Sequence, residues 1–489
     1  MNTLKGYQLL LSTIKDVLIK VLWAFFLLAL PLTSFPFFPA EFGGTASVRP
    51  LSLYPLFGLL LLVTLPRLFR DPLPKLFLPL FAFGLLSLAS AGFAATNTMV
   101  SLRDVSPFLR SMRGLFALGI GVAFYITVSL YAQSWDALRT SLRWIYLGFS
   151  VALLWGTIQI SYILKIAPAL YNMLSQIQRL ISSRKLMLKR ISGLTYEPKW
   201  FAEQLCFLLI PYLLASVLSG YSVFRWKFHG FSVELFLLIW ASIVLLFTYS
   251  RSGLFALFVL LAVGAWLNRN SIRVKIRQWE VKRNLTHFWV MIGVTVCMVS
   301  LFVFWVGSQN NYFSRLWNYW LVEENGSGDY LEYIAFRQRM VYAETAFRMY
   351  EAFPVLGVGL GNYAFHFADM LPNQSWHRQP DILRQISHAE GREKLITPKN
   401  LFMKVIAETG LLGFGVFCTF LLMLLSYVLY LINGKDDGQQ MIFGTAGVLG
   451  MIAFIVFAFS YDSFATPNMW VVFGLITAST RLVLERKHE

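Results

Sequence analysis

Charge is scarce in this chain. Asp, Glu, Lys and Arg make up 14% of its 489 residues, where an ordinary soluble domain carries about a quarter. The place of the missing charge is taken by apolar residues, at 57% of the chain and a mean hydropathy of +0.60. A soluble protein of this length has too little interior to hide that much apolar surface, which excludes a set of ordinary globular domains. Cysteine is also scarce: Cys206, Cys297 and Cys418 lie in different apolar runs with no CxxC spacing. That excludes a disulfide framework or a zinc ribbon and leaves three small buried hydrophobes. The six histidines include no HxxxH or HxH pair, so no metal site and no cofactor is expected. Acidic residues are few, 25 against 42 basic ones, giving a net charge of +17. In a soluble chain that balance would suggest nucleic acid. Here the basic residues sit between apolar runs, so the expected partners are membrane lipids or an anionic lipid-linked substrate, with no nucleic acid.

What is present is a series of apolar runs, each long enough to cross a hydrocarbon core of about 30 Å as a helix. Twelve spans are predicted, near 18–34, 51–66, 76–94, 114–131, 144–163, 203–219, 231–248, 253–267, 288–307, 411–432, 441–460 and 468–484. The fold class is therefore an all-α integral membrane protein of about twelve transmembrane helices. It divides into spans 1–9 over 1–307, a large loop over 308–410, and spans 10–12 over 411–489. Lys5, Lys15 and Lys20 precede the first run without a small-x-small cleavage site, which reads as an uncleaved span.

Lys and Arg in the loops set the orientation. Loops 67–75, 132–143, 220–230, 268–287 and 433–440, with both termini, hold most of the basic residues outside 308–400, and Arg269 to Arg283 supplies six of them. This face is predicted to be cytoplasmic and the long loop extracytoplasmic. Loop 164–201 runs against the rule: Lys165, Arg179, Arg184, Lys185, Lys189, Arg190 and Lys199 lie outside, so either the orientation is reversed or these charges have a function.

Three outer segments carry more than a connection. Segment 97–113 places Arg103, Arg110 and Arg113 at helical spacing beside Leu102, Val105 and Leu109. Segment 168–190 has an apolar stripe of Leu170, Leu174, Ile177 and Ile181, the pattern of an amphipathic helix lying on a membrane. Segment 308–400 holds a predicted helix over 331–352, then Pro354 and Gly357-Val358-Gly359-Leu360-Gly361-Asn362. With no strand before it, this is no dinucleotide fingerprint; it reads as a sharp turn bringing backbone close to something, be it a ligand or another part of the chain.

Three motifs, in order and on one predicted face, carry a family resemblance. They are Arg190-Ile-Ser-Gly193-Leu-Thr-Tyr-Glu197-Pro198; Tyr249-Ser250-Arg251-Ser252-Gly253; and Pro354-Val-Leu-Gly357-Val-Gly359-Leu-Gly361-Asn362, followed by Asn400, nine residues, and Gly410-Leu-Leu-Gly413. The arrangement resembles the O-antigen polymerase and O-antigen ligase superfamily. That resemblance implies a GT-C-like fold in a bacterial inner membrane with the active site facing the periplasm. It implies a metal-independent, inverting glycosyltransferase that takes glycan from undecaprenyl pyrophosphate. A polymerase passes the glycan to another lipid-linked repeat unit, and a ligase passes it to lipid A-core.

The resemblance assigns Arg190 and Arg251 to the pyrophosphate, whose developing charge a guanidinium can neutralise bidentately. The competing reading is an interfacial arginine that snorkels. Glu197 is a candidate general base, or an ion-pair partner of Arg190; His388 and Glu390 are the other candidates for the base. Family ligases carry His-Asn where this chain has Lys399-Asn400, so Lys399 and Asn400, with His388, are assigned to substrate binding instead. Some family polymerases show Arg, ten residues, Gly in two outer loops; Arg348 with Gly359 and Arg103 with Gly114 fit that spacing. These arginines and Arg110 join the substrate-binding set, and the pattern favours polymerase over ligase. Two other classes compete. A twelve-span transporter would show acidic residues inside its spans and a half-to-half repeat. Glu234 is the main such acid, and the two halves differ. A non-catalytic scaffold for envelope assembly is the third.

Overall fold

A computed structural model of the chain describes residues 2–37, 48–95, 100–164, 170–224, 226–228, 231–270, 273–274, 285–321, 330, 336–372, 376, 382–383, 386, 395–434 and 438–486. It is built almost entirely of helices. In chain order they are α1 (Asn2–Leu28), α2 (Leu53–Leu68), α3 (Phe77–Ala95), α4 (Pro107–Tyr131), α5 (Trp135–Ile163), α6 (Tyr171–Ile181), α7 (Pro198–Ser219) and α8 (Val233–Leu246). They continue with α9 (Arg251–Leu267), α10 (Leu285–Ser308), α11 (Asn311–Leu321), α12 (Arg337–Ala352), α13 (Tyr363–His366), α14 (Leu401–Ile432), α15 (Gly438–Ala458) and α16 (Pro467–Arg486). Strands β1 (Lys227–Phe228) and β2 (Phe231–Ser232) form a small antiparallel hairpin before α8.

Five of the helices start where the sequence supplies a cap. Ser106, Ser134, Ser232, Ser250 and Asn400 each accept a backbone N–H three residues ahead, opening α4, α5, α8, α9 and α14. Two helices contain a π turn, Leu60–Thr64 in α2 and Leu205–Leu209 in α7. Each lies just before a proline, Pro66 or Pro211, which has no N–H to give and crowds the carbonyl one turn back. The wider turn absorbs that mismatch.

Among the described residues seven helices, α3, α4, α5, α7, α14, α15 and α16, are long and apolar enough to cross a membrane; α2, α8 and α9 are shorter apolar helices. Each of the twelve sequence-predicted spans overlaps a helix. The chain is thus a multi-pass, all-α membrane protein. Its centre is formed by α7 and α16, whose apolar windows are 89% buried, whereas that of α14 is 28% buried and faces outward. Close backbone approach joins α4 to α16. Any side chain at Gly121 would strike the Trp470 indole, and one at Gly474 would meet Val128. Trp470 is locked there by its indole N–H on the Phe464 carbonyl at 2.8 Å.

Loop contacts sort onto two faces. On one, Arg67 donates to the carbonyls of Leu130 and Tyr131, Arg481 reaches Ala132, and Arg139 and Arg143 reach Val223. Buried Glu234 belongs here too. It accepts Ser222 Oγ and the Val223 and Phe224 N–H groups, so it clamps the 220–224 turn, which weighs against a transport acid. On the other face residues 33–34, 182–199, 248–251, 310, 399 and 460–462 meet one another. The two groups are the loops that the sequence placed inside and outside. If the second group is extracytoplasmic, a cysteine at Glu344 on the exposed side of α12, in a chain with its native cysteines replaced by serine, reacts with an impermeant maleimide in intact spheroplasts. Labelling only after lysis would reverse the orientation.

Two sequence expectations are corrected. Arg103 shares no helix with Arg110 and Arg113. Residues 102–105 form a tight turn with Arg103 and Asp104 in left-handed backbone (φ 53° and 60°), and α4 begins after the Ser106 cap at Pro107. A proline disfavours helical backbone just before it, and this fixes the break. The amphipathic helix ends at Ile181 rather than continuing through the basic residues to 190. Ser182 and Ser183 are held instead by Ser34, through a 2.6 Å hydroxyl pair and a 2.7 Å bond from the Ser183 N–H to the Ser34 carbonyl. The predicted helix over 331–352 is described as helix from Arg337.

Candidate active site

The first two motifs, some fifty residues apart, meet at one point. Arg190 donates from Nε to the Thr248 carbonyl at 2.9 Å and from Nη2 to the Tyr249 carbonyl at 3.3 Å. These carbonyls close the C-terminal end of α8, where a cation is favourably placed. Tyr249 takes left-handed backbone (φ 48°) to make the turn, Ser250 caps α9, and Arg251 is the first residue of that helix. Arg190 is therefore fixed on the turn that leads, through Ser250, directly into Arg251. Gly253 lets α9 press on α7, where an added Cβ would lie 2.6 Å from that of Ala202.

The 190–197 segment is held from behind by two buried glutamines. Gln159 Oε1 accepts the N–H groups of Ser192 and Gly193 at 3.1 and 2.9 Å, and its amide donates to Gln178 on α6 at 3.1 Å. Gly193 sits at φ 54°, with Phe201 where a side chain would go. Thr195 Oγ1 bonds the carbonyls of Ser192 and Glu197. Residues 190–197 of this basic loop are thus a built wall of the site and not a tether.

A second group of charges gathers where this wall meets residues 399 and 460–462. Lys199, on the first turn of α7, donates to the Ser460 carbonyl. Lys399 is in left-handed backbone (φ 52°), and its N–H donates to Asp462 Oδ2 at 2.7 Å. Its ammonium lies 5.3 Å from the centre of the Tyr342 ring. The surrounding protein pushes the Lys399 pKa below its ordinary value. Desolvation is the main cause, with Arg339 acting in the same direction and Asp462 and Glu197 opposing. The Asp462 carboxylate is within electrostatic reach of Lys199, Lys399 and Arg110, and Glu197 is within reach of both lysines.

The remaining sequence-predicted residues divide. Arg110 faces this charge group from α4. Glu197 is exposed at the start of α7, with Lys199 and Lys399 among the charges near it, and the Arg190 guanidinium binds the Thr248 and Tyr249 carbonyls. Asn400 spends its side-chain oxygen capping α14, accepting the Met403 N–H at 3.1 Å, so its first role is structural. Arg348 pairs with Glu344 at 3.6 Å along the exposed side of α12, outside the charge group. Arg103 stands in the 102–105 turn. His388 and Glu390 fall outside the described residues. Among those described, no three His, Cys, Asp or Glu side chains are grouped to hold a metal.

The glycine-rich motif does bring backbone close to something, and that something is α14. Gly357, Gly359 and Gly361 all have positive φ. The N–H groups of Val358 and Gly359 donate to Ala407 and Glu408, and those of Leu411 and Leu412 donate back to Pro354 and Val355. Buried Glu408 accepts the Gly361 N–H at 2.8 Å and lies 3.7 Å from Lys404. The motif thus braces a break in α14 at Gly410. The glycines of the two Arg-to-Gly spacings also serve packing: a side chain at Gly114 would meet Leu360, and one at Gly359 would meet Ala94.

Sequence reasoning missed Asp462, Arg339 and Tyr342. The one available signal was for Asp462, an acid in the short outer turn Ser460–Ser463 between two apolar spans. An apolar cavity of about 480 Å³ among Trp226, Phe231, Phe236 and Ile239 lies at the other face and suits a lipid tail better than a reaction.

Residues 236–418 match the family model described as O-Antigen ligase. No curated protein matches the chain. The matched stretch contains the Ser250–Gly253 turn, the glycine-rich motif and Lys399-Asn400, and it supports the resemblance to the O-antigen polymerase and ligase superfamily. Arg190, Glu197 and Asp462 lie outside it.

Proposed function

Because the chain carries the O-antigen ligase family domain in a multi-pass helical membrane protein, we propose that it is a glycan polymerase. In this reading it takes a glycan from undecaprenyl pyrophosphate on the periplasmic face of a bacterial inner membrane and passes it to the end of another lipid-linked repeat unit. The observation that carries the proposal is that Arg190 is fixed on the 248–249 turn, two residues before Arg251 opens α9. Two guanidiniums there suit a diphosphate leaving group. Arg190 is fixed by the carbonyls of Thr248 and Tyr249, and Arg251 stands at the positive end of α9, so charge developing on the phosphate as the glycosidic bond breaks meets donors already in place. An acceptor hydroxyl attacking the anomeric carbon from the opposite side inverts its configuration.

Ligase activity, with transfer to lipid A-core, is the second reading, favoured by the description of the matched family. Polymerase is preferred because the histidine of family ligases is Lys399 here. Incubation of the purified protein with lipid-linked repeat units alone separates the two. A polymerase builds oligomers from them, in EDTA as well as in Mg²⁺. A ligase leaves them unchanged until lipid A-core is added, and that outcome would overturn the polymerase assignment.

A further inference from the structure

We propose that Asp462 is the catalytic residue that accepts the proton of the acceptor hydroxyl, an inference that rests on the glycosyl-transfer reading above. An attacking hydroxyl must lose a proton as its oxygen bonds to the anomeric carbon. The bond from that carbon to the pyrophosphate oxygen breaks, and lipid pyrophosphate leaves with the electron pair. Residue 399, where family ligases carry histidine, is a lysine here, and an ammonium has no lone pair to receive the proton.

Four carboxylates surround the site, and the structure separates them. Glu203 is 1% exposed on α7, where Asn468 donates to it at 3.3 Å. Glu408 is equally buried and is spent on Gly361 and Lys404. Glu197 is exposed and makes no cap bond, and among the described residues no hydrogen bond fixes its carboxylate. Asp462 is half-buried and fixed: Oδ2 receives the Lys399 N–H at 2.7 Å, and among the described residues no hydrogen bond engages Oδ1. The same bond joins Asp462 to Lys399, which is in left-handed backbone and stands where family ligases carry histidine. The groups facing it come from several elements: Lys199 and Lys399, Arg110 on α4, Glu408 on α14, Tyr363 on α13 and its neighbour Tyr461. Three cations from three parts of the chain thus surround a carboxylate that has one oxygen uncommitted. A carboxylate is a base at neutral pH, and positioned general bases contribute about 10²- to 10⁴-fold in rate.

Asp462→Asn tests this in the full-length protein. The amide oxygen can still receive the Lys399 N–H, so the turn is kept while the base is lost. Expected is a fall of about 10²- to 10⁴-fold in transfer at saturating donor, with lipid-linked donor bound as in wild type. Transfer within threefold of wild type would overturn the proposal, and so would loss of donor binding in parallel with transfer, which would make Asp462 a structural residue. Should the variant not fold, wild type decides. Its kcat/KM should fall about tenfold per pH unit on the acid side while donor binding stays level, and Glu197→Gln should retain that limb. A level acid side, or loss of the limb in Glu197→Gln, would overturn it. Failure of the pyrophosphate reading is separate, since it appears as donor binding that ignores Arg190 and Arg251.

Discussion

Arg190→Ala and Arg251→Ala each remove glycan transfer and weaken donor binding, while the protein still purifies as a monodisperse species in detergent. The lysine variants separate the charge of each arginine from its shape. Lysine keeps a cation but not the planar fork that meets two phosphate oxygens at once. A charge-assisted hydrogen bond contributes about 1.5–3 kcal/mol, which in transition-state stabilisation is about one to two orders of magnitude in rate. The structure makes the two positions unequal. Arg190 holds the carbonyls of Thr248 and Tyr249 with two nitrogens of a rigid fork, which lysine replaces with a single nitrogen on a flexible stem. Its lysine variant therefore also loosens the turn that presents Arg251, and falls further than Arg251→Lys. An interfacial anchor would behave differently, because lysine snorkels as well as arginine. Wild-type transfer rates in both lysine variants would remove the pyrophosphate assignment.

The second large effect is expected at Gly410. There the backbone leaves the helix (φ 62°, ψ −166°), a region nearly closed to residues with a side chain, and an added Cβ would stand 2.3 Å from the Val355 carbonyl oxygen. That oxygen belongs to the backbone pairing that joins residues 354–359 to α14. Gly410→Ala must therefore undo the pairing or straighten the helix, at a cost of about 3 kcal/mol or more from strain and lost bonds together. Loss of folded protein in detergent, or a large fall in its unfolding temperature, should follow. Gly415→Ala is the control, since nothing lies within 4 Å of its added methyl. Equal stability of the two variants would show that the break in α14 does not depend on the glycine.

Arg190, Arg251 and Gly410 all belong to motifs visible in the sequence, but their meaning was legible to different degrees. Hydropathy alone determined that the chain is helical and multi-pass, because a backbone in hydrocarbon must satisfy its own hydrogen bonds and a helix does so within one segment. Charge asymmetry and the even number of spans likewise sorted the loops into two groups, and the loop contacts keep them apart. Motif order pointed to Arg190 and Arg251 because the chemistry of a diphosphate limits which side chains can serve it.

What the sequence left open depends on distances between residues far apart in the chain. That Arg190 is fixed by carbonyls fifty-eight and fifty-nine residues away follows only from the packing of the 190–197 wall on α5, α6 and α8. The glycine-rich motif looked equally able to approach a ligand or another element. Only the tertiary structure shows Gly357 and Gly361 against α14 and α4, where they let backbone hydrogen bonds replace those missing at Gly410. Asn400 was read as a binding residue, and only the structure shows that its side-chain oxygen also caps α14 by accepting the Met403 N–H. Asp462 carried no motif at all. An isolated acid in a short turn acquires a role only when folding brings Lys399, Lys199 and Arg110 around it. Hydrophobicity is read locally along a chain, whereas an active site is a property of side chains that meet only once the helices have packed.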